Sequence, residues 1–72
     1  MWECDPGTFR VDFGPAGELV QAIAGHVTCR ADDGETFELR EGDVRTFPTG
    51  WHGQWTAHTR FRKVFCTFVA AS

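Results

Sequence analysis

Apolar and polar residues alternate along most of this chain, in runs too short for a helix. Phe9, Val11 and Phe13 are separated by Arg10 and Asp12 before "GPAG" at 14–17 breaks the run. "TFELR" at 36–40 and "FRKVFCTFV" at 61–69 repeat the period of two. No window of about ten residues carries a helical spacing of apolar positions. "ELVQAIAGHVTCR" at 18–30 reads as one long extended segment with Gly25 as a bend or bulge. Asp33-Gly34 is a hairpin signal, and "EGD" at 41–43 is a second turn. "VRTF" runs up to Pro48, "PTGWHG" turns, and "QWTAH" is a further strand. About seven strands of roughly 4–8 residues result, which predicts an all-β fold, sandwich or small barrel.

The composition narrows this picture. Seventy-two residues make one domain, 1–72, with no repeat, low-complexity tract or linker. A chain this short buries only about 60% of its unfolded surface, so disulfides, a metal or oligomerisation are the usual aids. Cys4, Cys29 and Cys66 are odd in number and widely spaced, which favours free thiols and a cytoplasmic location over a disulfide framework. No run approaches the roughly 20 apolar residues of a membrane span, and no signal-peptide pattern precedes the first strand. Seven Phe and three Trp, with no Tyr, suit a small core built on aromatics and valine. The net charge of -3 and the short basic cluster Arg60, Arg62 and Lys63 argue against a nucleic-acid partner.

At residues 42–50 the pattern becomes specific: Gly42, Pro48 and Gly50 resemble the second motif of the cupin superfamily. Upstream, Glu18 and Gly25 are similar to the end of the first cupin motif. Within that superfamily the chain resembles the small single-domain cupins related to ethanolamine-utilisation and ureidoglycine-metabolism proteins. The matching segments are "WEC" at 2–4, "FRVDF" at 9–13, "DDGETFELREGD" at 32–43, "FPTGWHGQW" at 47–55 and "RK" at 62–63. The resemblance implies a double-stranded β-helix, or jelly-roll barrel, around a small-molecule or metal pocket. Such members usually begin a few dozen residues earlier, so the chain reads as an N-terminally shortened barrel.

Metal-binding cupins combine two histidines and a carboxylate from the first motif with a histidine from the second. Glu18 stands at the carboxylate position, but the histidine positions fall among Val11, Asp12, Phe13 and Gly14, and the second-motif position is Gly53. His52 is one residue early, and a one-residue shift in a strand sends a side chain to the opposite face. His26 and Cys29 also fall on opposite faces. His52 and His58 share a phase but lie about 20 Å apart along a strand. The expectation is therefore no metal and no cofactor.

Alternation points Glu18, Val20 and Ala22 inward, with Trp55 and Ala57 on a neighbouring strand. An interior carboxylate needs a partner. Arg45, Arg62 and Lys63 are the candidates, and Lys63 is preferred because the resembling family retains a lysine there. Phe47, Trp51 and Trp55 would form an aromatic wall. The candidate ligand-binding set is thus Glu18, Arg45, Phe47, Trp51, Trp55 and Lys63. No catalytic residue is assigned: Ser72 is terminal and no Ser-His-Asp or Cys-His pair stands out. The expected function is a metal-free domain binding a small polar or carboxylate-bearing metabolite. One alternative is a metal-dependent enzyme of ureidoglycine aminohydrolase type, using Glu18, His52 and a ligand from a partner chain. The other is a mainly structural homodimer, paired through exposed sheet edges, with a self-filled barrel.

Overall fold

A computed structural model describes residues 1–69; Ser72 lies outside them. The described residues form eight strands and no helix. They are β1 (Trp2–Cys4), β2 (Gly7–Asp12), β3 (Ala16–Ala24), β4 (His26–Ala31), β5 (Thr36–Arg40), β6 (Val44–Phe47), β7 (His52–Ala57) and β8 (Phe61–Val69). Two antiparallel four-stranded sheets result, ordered β1-β8-β3-β6 and β2-β7-β4-β5. Laid face to face, they form a jelly-roll arrangement.

The alternation of the sequence becomes the division between core and surface. Val20 and Ala22 of β3, Val27 and Cys29 of β4, Leu39 of β5, Trp55 and Ala57 of β7, and Phe61 of β8 are buried together. Their sequence neighbours Leu19, Gln21, Thr28, Gln54 and Thr56 point to the outer faces, as period two requires. Burial of the Cys29 thiol pushes its pKa up to about 12, so it stays protonated and acts as a small apolar side chain. All three cysteines are free.

The segment expected as one extended strand is two. β3 belongs to the first sheet and β4 to the second, and the chain crosses between them at Gly25. Gly25 has φ +90°, and a Cβ there would meet the Arg60 carbonyl oxygen at 2.2 Å. Only glycine satisfies both the angle and the close approach. Downstream, β4 and β5 form the expected hairpin, with Gly34 N donating to Ala31 O at 2.9 Å. β7 starts at His52, earlier than expected, because it pairs with β2 from Asp12 to Gly7. β1 is an addition: three residues pair with Phe61–Lys63.

Candidate functional site

A cleft of about 320 Å³ opens between the two sheets where β2 faces β8. Small-molecule pockets span roughly 300–1,000 Å³, so this one has room for a metabolite rather than a polymer. Trp2, Phe9, Val11 and Phe13 form one side, Trp55 and Phe65 flank the interior, and Glu18 and Lys63 supply charge.

The register explains how the charges meet. Lys63 lies opposite Ala22 on β3, and Glu18 faces the same interior four residues along that strand. The two long side chains lean toward each other across Val20, and Lys63 Nζ donates to Glu18 Oε1. Their side chains are 7% and 13% exposed, so the pair is inside the sandwich and not solvated at its mouth. Arg62, the other nearby cation, points outward to Glu3 at 2.8 Å.

Aromatic rings enclose the ammonium. Lys63 Nζ is 5.0 Å from the Trp2 ring centroid, 4.9 Å from Trp55 and 5.0 Å from Phe65. Such contacts add to the attraction of a single carboxylate when the cation is desolvated. An ammonium has three donors. Among the described residues, Glu18 is the acceptor Lys63 has. The Trp55 Nε1 donor is buried and has no acceptor among the described residues. An orphaned buried donor costs about 1–3 kcal/mol.

The remaining members of the expected site lie elsewhere. Arg45 faces inward from β6, at the far edge of the first sheet from β8. Its guanidinium sits 3.5 Å from the Phe37 ring centroid and 3.3 Å from Glu35, away from the cleft. Phe47 is fully buried core, packed on Phe13, Phe37, Trp51 and Trp55. Trp51 belongs to the turn before β7 and lines a separate hollow with Asp32, Asp33 and His52. Thus Glu18, Trp55 and Lys63 converge, while Arg45, Phe47 and Trp51 do not. Trp2, Phe9 and Phe65 take the place of the expected wall. Phe9 shares the inward phase of Val11; that was the available signal.

The outer face of the second sheet gathers a different set. His26 Nε2 lies 2.5 Å from Glu38 Oε1, and Thr28 Oγ1 donates to the same oxygen at 2.8 Å. The Thr28 hydroxyl and His26 hold the Glu38 carboxyl below its ordinary range. Further along, Asp32 accepts from the Arg10 guanidinium and lies 2.6 Å from His52 Nδ1. The Arg10 hydrogen bond, then that of His52, lowers the Asp32 pKa to about 2. His52 is exposed here, on the opposite side of the sheet from Glu18, so the two do not converge on one site.

A family model described as the EutQ-like cupin domain matches residues 1–65. The chain belongs to that family. Among solved structures, a DUF861 family protein from Thermotoga maritima is 27% identical with a TM-score of 0.87, covering 93% of this cupin and 75% of that chain. A putative ethanolamine utilization protein Q from Salmonella typhimurium is 23% identical with a TM-score of 0.80, over 96% of this cupin and 55% of that chain. The Clostridium difficile EutQ protein is 22% identical with a TM-score of 0.80, over 94% and 48%. This cupin thus spans about half to three quarters of the length of those proteins. A search of curated proteins finds no match.

The cupin fold raises the question of a metal inside the barrel, and the residues present do not fit one. Glu18 has the carboxylate position, but its oxygen is taken by the Lys63 ammonium, a cation where an ion would need a second donor. Across from Gly53 stand Val11 and Ala31, neither a ligand. A Cβ at Gly53 would meet the Arg30 carbonyl oxygen at 2.2 Å, so the second-motif ligand position has no room for a side chain.

Proposed function

We propose that this cupin domain binds a small polar or carboxylate-bearing metabolite in the Glu18–Lys63 cleft. One observation carries the reading: a buried ammonium, caged by three aromatic rings, has one carboxylate partner among the described residues and three donors to place. A ligand carboxylate would take those donors. A ligand that also carries an amine or hydroxyl would give Glu18 a hydrogen bond in return. The unpartnered Trp55 Nε1 adds a third polar point beside the same apolar wall. Few, fixed polar groups in an apolar cleft are how small-molecule sites achieve orientation.

The test is a thermal-shift screen of the full chain against amino acids, ureides and sugar acids. A ligand at about ten times its Kd stabilises by ~1.4 kcal/mol, or roughly 6–11 °C in a domain of this size. Removing one partner of the pair leaves a buried charge, so the control is Glu18→Leu with Lys63→Met, which removes both. That double variant should fold with a Tm near the parent's and lose the ligand shift. A panel with no stabilising compound, or an equal shift in the double variant, rejects the reading.

A second reading, self-association of two copies, has its own support. β1 pairs with β8 only through Lys63, leaving one edge of β8 open from Val64 onward among the described residues. Leu19, Val44 and Val64 are exposed on the outer face of that sheet. Open edges and apolar patches are where copies meet.

A further inference from the structure

The outer face of the second sheet brings together His26 of β4, Glu38 of β5 and His58, the residue just after β7. His26 and His58 lie across from each other at the β4–β7 boundary, where His58 N donates to His26 O at 3.0 Å. Their ring centroids are 4.6 Å apart, with the planes inclined by 39°. Glu38 comes from the other side, opposite Thr28 on β5, and reaches diagonally to His26. One ligand atom from each of the three residues falls within 4.8 Å of the other two.

We infer that His26, His58 and Glu38 form a surface site for a first-row divalent transition metal of the zinc type. Three features support it. Two imidazoles and one carboxylate are the donor types such ions take, and three protein donors leave a position for solvent. Ligands at about 2.0–2.2 Å from one ion lie roughly 3–4 Å from each other, so the observed spread closes by small side-chain rotations. The backbone is held in place: His26 and Glu38 stand on the paired strands β4 and β5, and His58, the residue after β7, is tied to β4 by its N–H on His26 O.

The surroundings supply what a metal site needs beyond its ligands. Thr28 Oγ1 donates to Glu38 Oε1 at 2.8 Å and lies 2.7 Å from His58 Nε2. With its proton on Glu38, the hydroxyl accepts from the imidazole, so Thr28 orients two of the three ligands at once. His26 and Glu38 are 31% and 35% exposed at the side chain, open enough for an ion to enter from solvent. An ion between His26 and Glu38 would replace the hydrogen bond that now joins them. The site is separate from the Glu18–Lys63 cleft and lies on the other side of the second sheet, so either can fail without the other.

The experiment is titration of the full chain with Zn²⁺ by calorimetry, and with Co²⁺ by visible absorption. The parent should bind one ion per chain, with ligand-field bands of a low-coordinate nitrogen and oxygen site. His58→Ala and Glu38→Gln should each weaken binding by about tenfold or more. His52→Ala, which removes a histidine of the same face held by Asp32, should leave affinity unchanged. Circular dichroism of each variant confirms that it folds. Failure of the parent to bind overturns the inference, as does binding that survives both ligand variants or weakens equally in His52→Ala.

Discussion

The two sheets share one core but present opposite outer faces. On the first, Leu19, Val44, Val64 and Phe68 are 43%, 60%, 40% and 37% exposed. On the second, the same outward positions hold His26, Thr28, Glu38, Thr56 and Arg10, each joined across strands by a hydrogen bond or ion pair, and Gln54 beside them. Identical backbone alternation therefore yields one outer surface that is apolar and one that is polar and cross-linked. The difference teaches where to look for partners. A polar face with converging donors is suited to ions or small solutes, whereas an apolar face is suited to another surface.

The sharpest way to break the comparison is to disturb the corner that holds the sheets in opposition. Gly25→Ala puts a side chain at φ +90° and 2.2 Å from the Arg60 carbonyl. A loss of about 3 kcal/mol or more is expected, measured by urea or thermal unfolding. Next comes the apolar face. Val44→Lys with Val64→Lys should turn a dimer into a monomer on sizing chromatography at micromolar concentration, while unfolding stability changes by about 1 kcal/mol or less. A parent that already elutes as a monomer removes the dimer.

The smallest effect sharpens the polar face. Asp32 titrates at about 2 rather than near 3.8 because it is hydrogen-bonded by Arg10 and His52 in the fold. A depressed carboxylate contributes stability that is present above its unfolded pKa and is lost as pH falls through its folded one. Between about pH 3.8 and 2, Asp32→Asn should therefore lose less Tm than the parent does. Parallel melting curves across that range would show that the Arg10–Asp32–His52 cluster does not report on folding.

Much of this was legible because strand alternation is a local property. Glu18, Trp55 and Ala57 could be assigned inward from phase alone, and Lys63 was the right partner among three cations. Arg45 shows the limit. It also faces inward, but it sits on β6, which stands over β5 and Phe37, and inward phase says nothing about which part of the interior a strand covers. Trp51 escaped because a turn residue obeys no alternation. Gly25 was read as a bend because an extended chain looks the same whether it stays in one sheet or crosses to another. The His26–Glu38–His58 cluster was invisible along any single strand: it exists only because β4 lies between β5 and β7. β1 was too short to carry a pattern.

Gly53 has a consequence for what this sequence can become. Its neighbour strand lies so close that the Arg30 carbonyl occupies the space of a first side-chain carbon. Gly53→His would have to prise β7 from β4 before it could present an imidazole to the barrel. A metal-centred interior is thus not one substitution away: the backbone closes position 53, no histidine stands at 11–14, and Lys63 occupies the Glu18 carboxylate. Variation that explores new chemistry in this domain has an open path on its rims and outer faces, and a closed one at its centre.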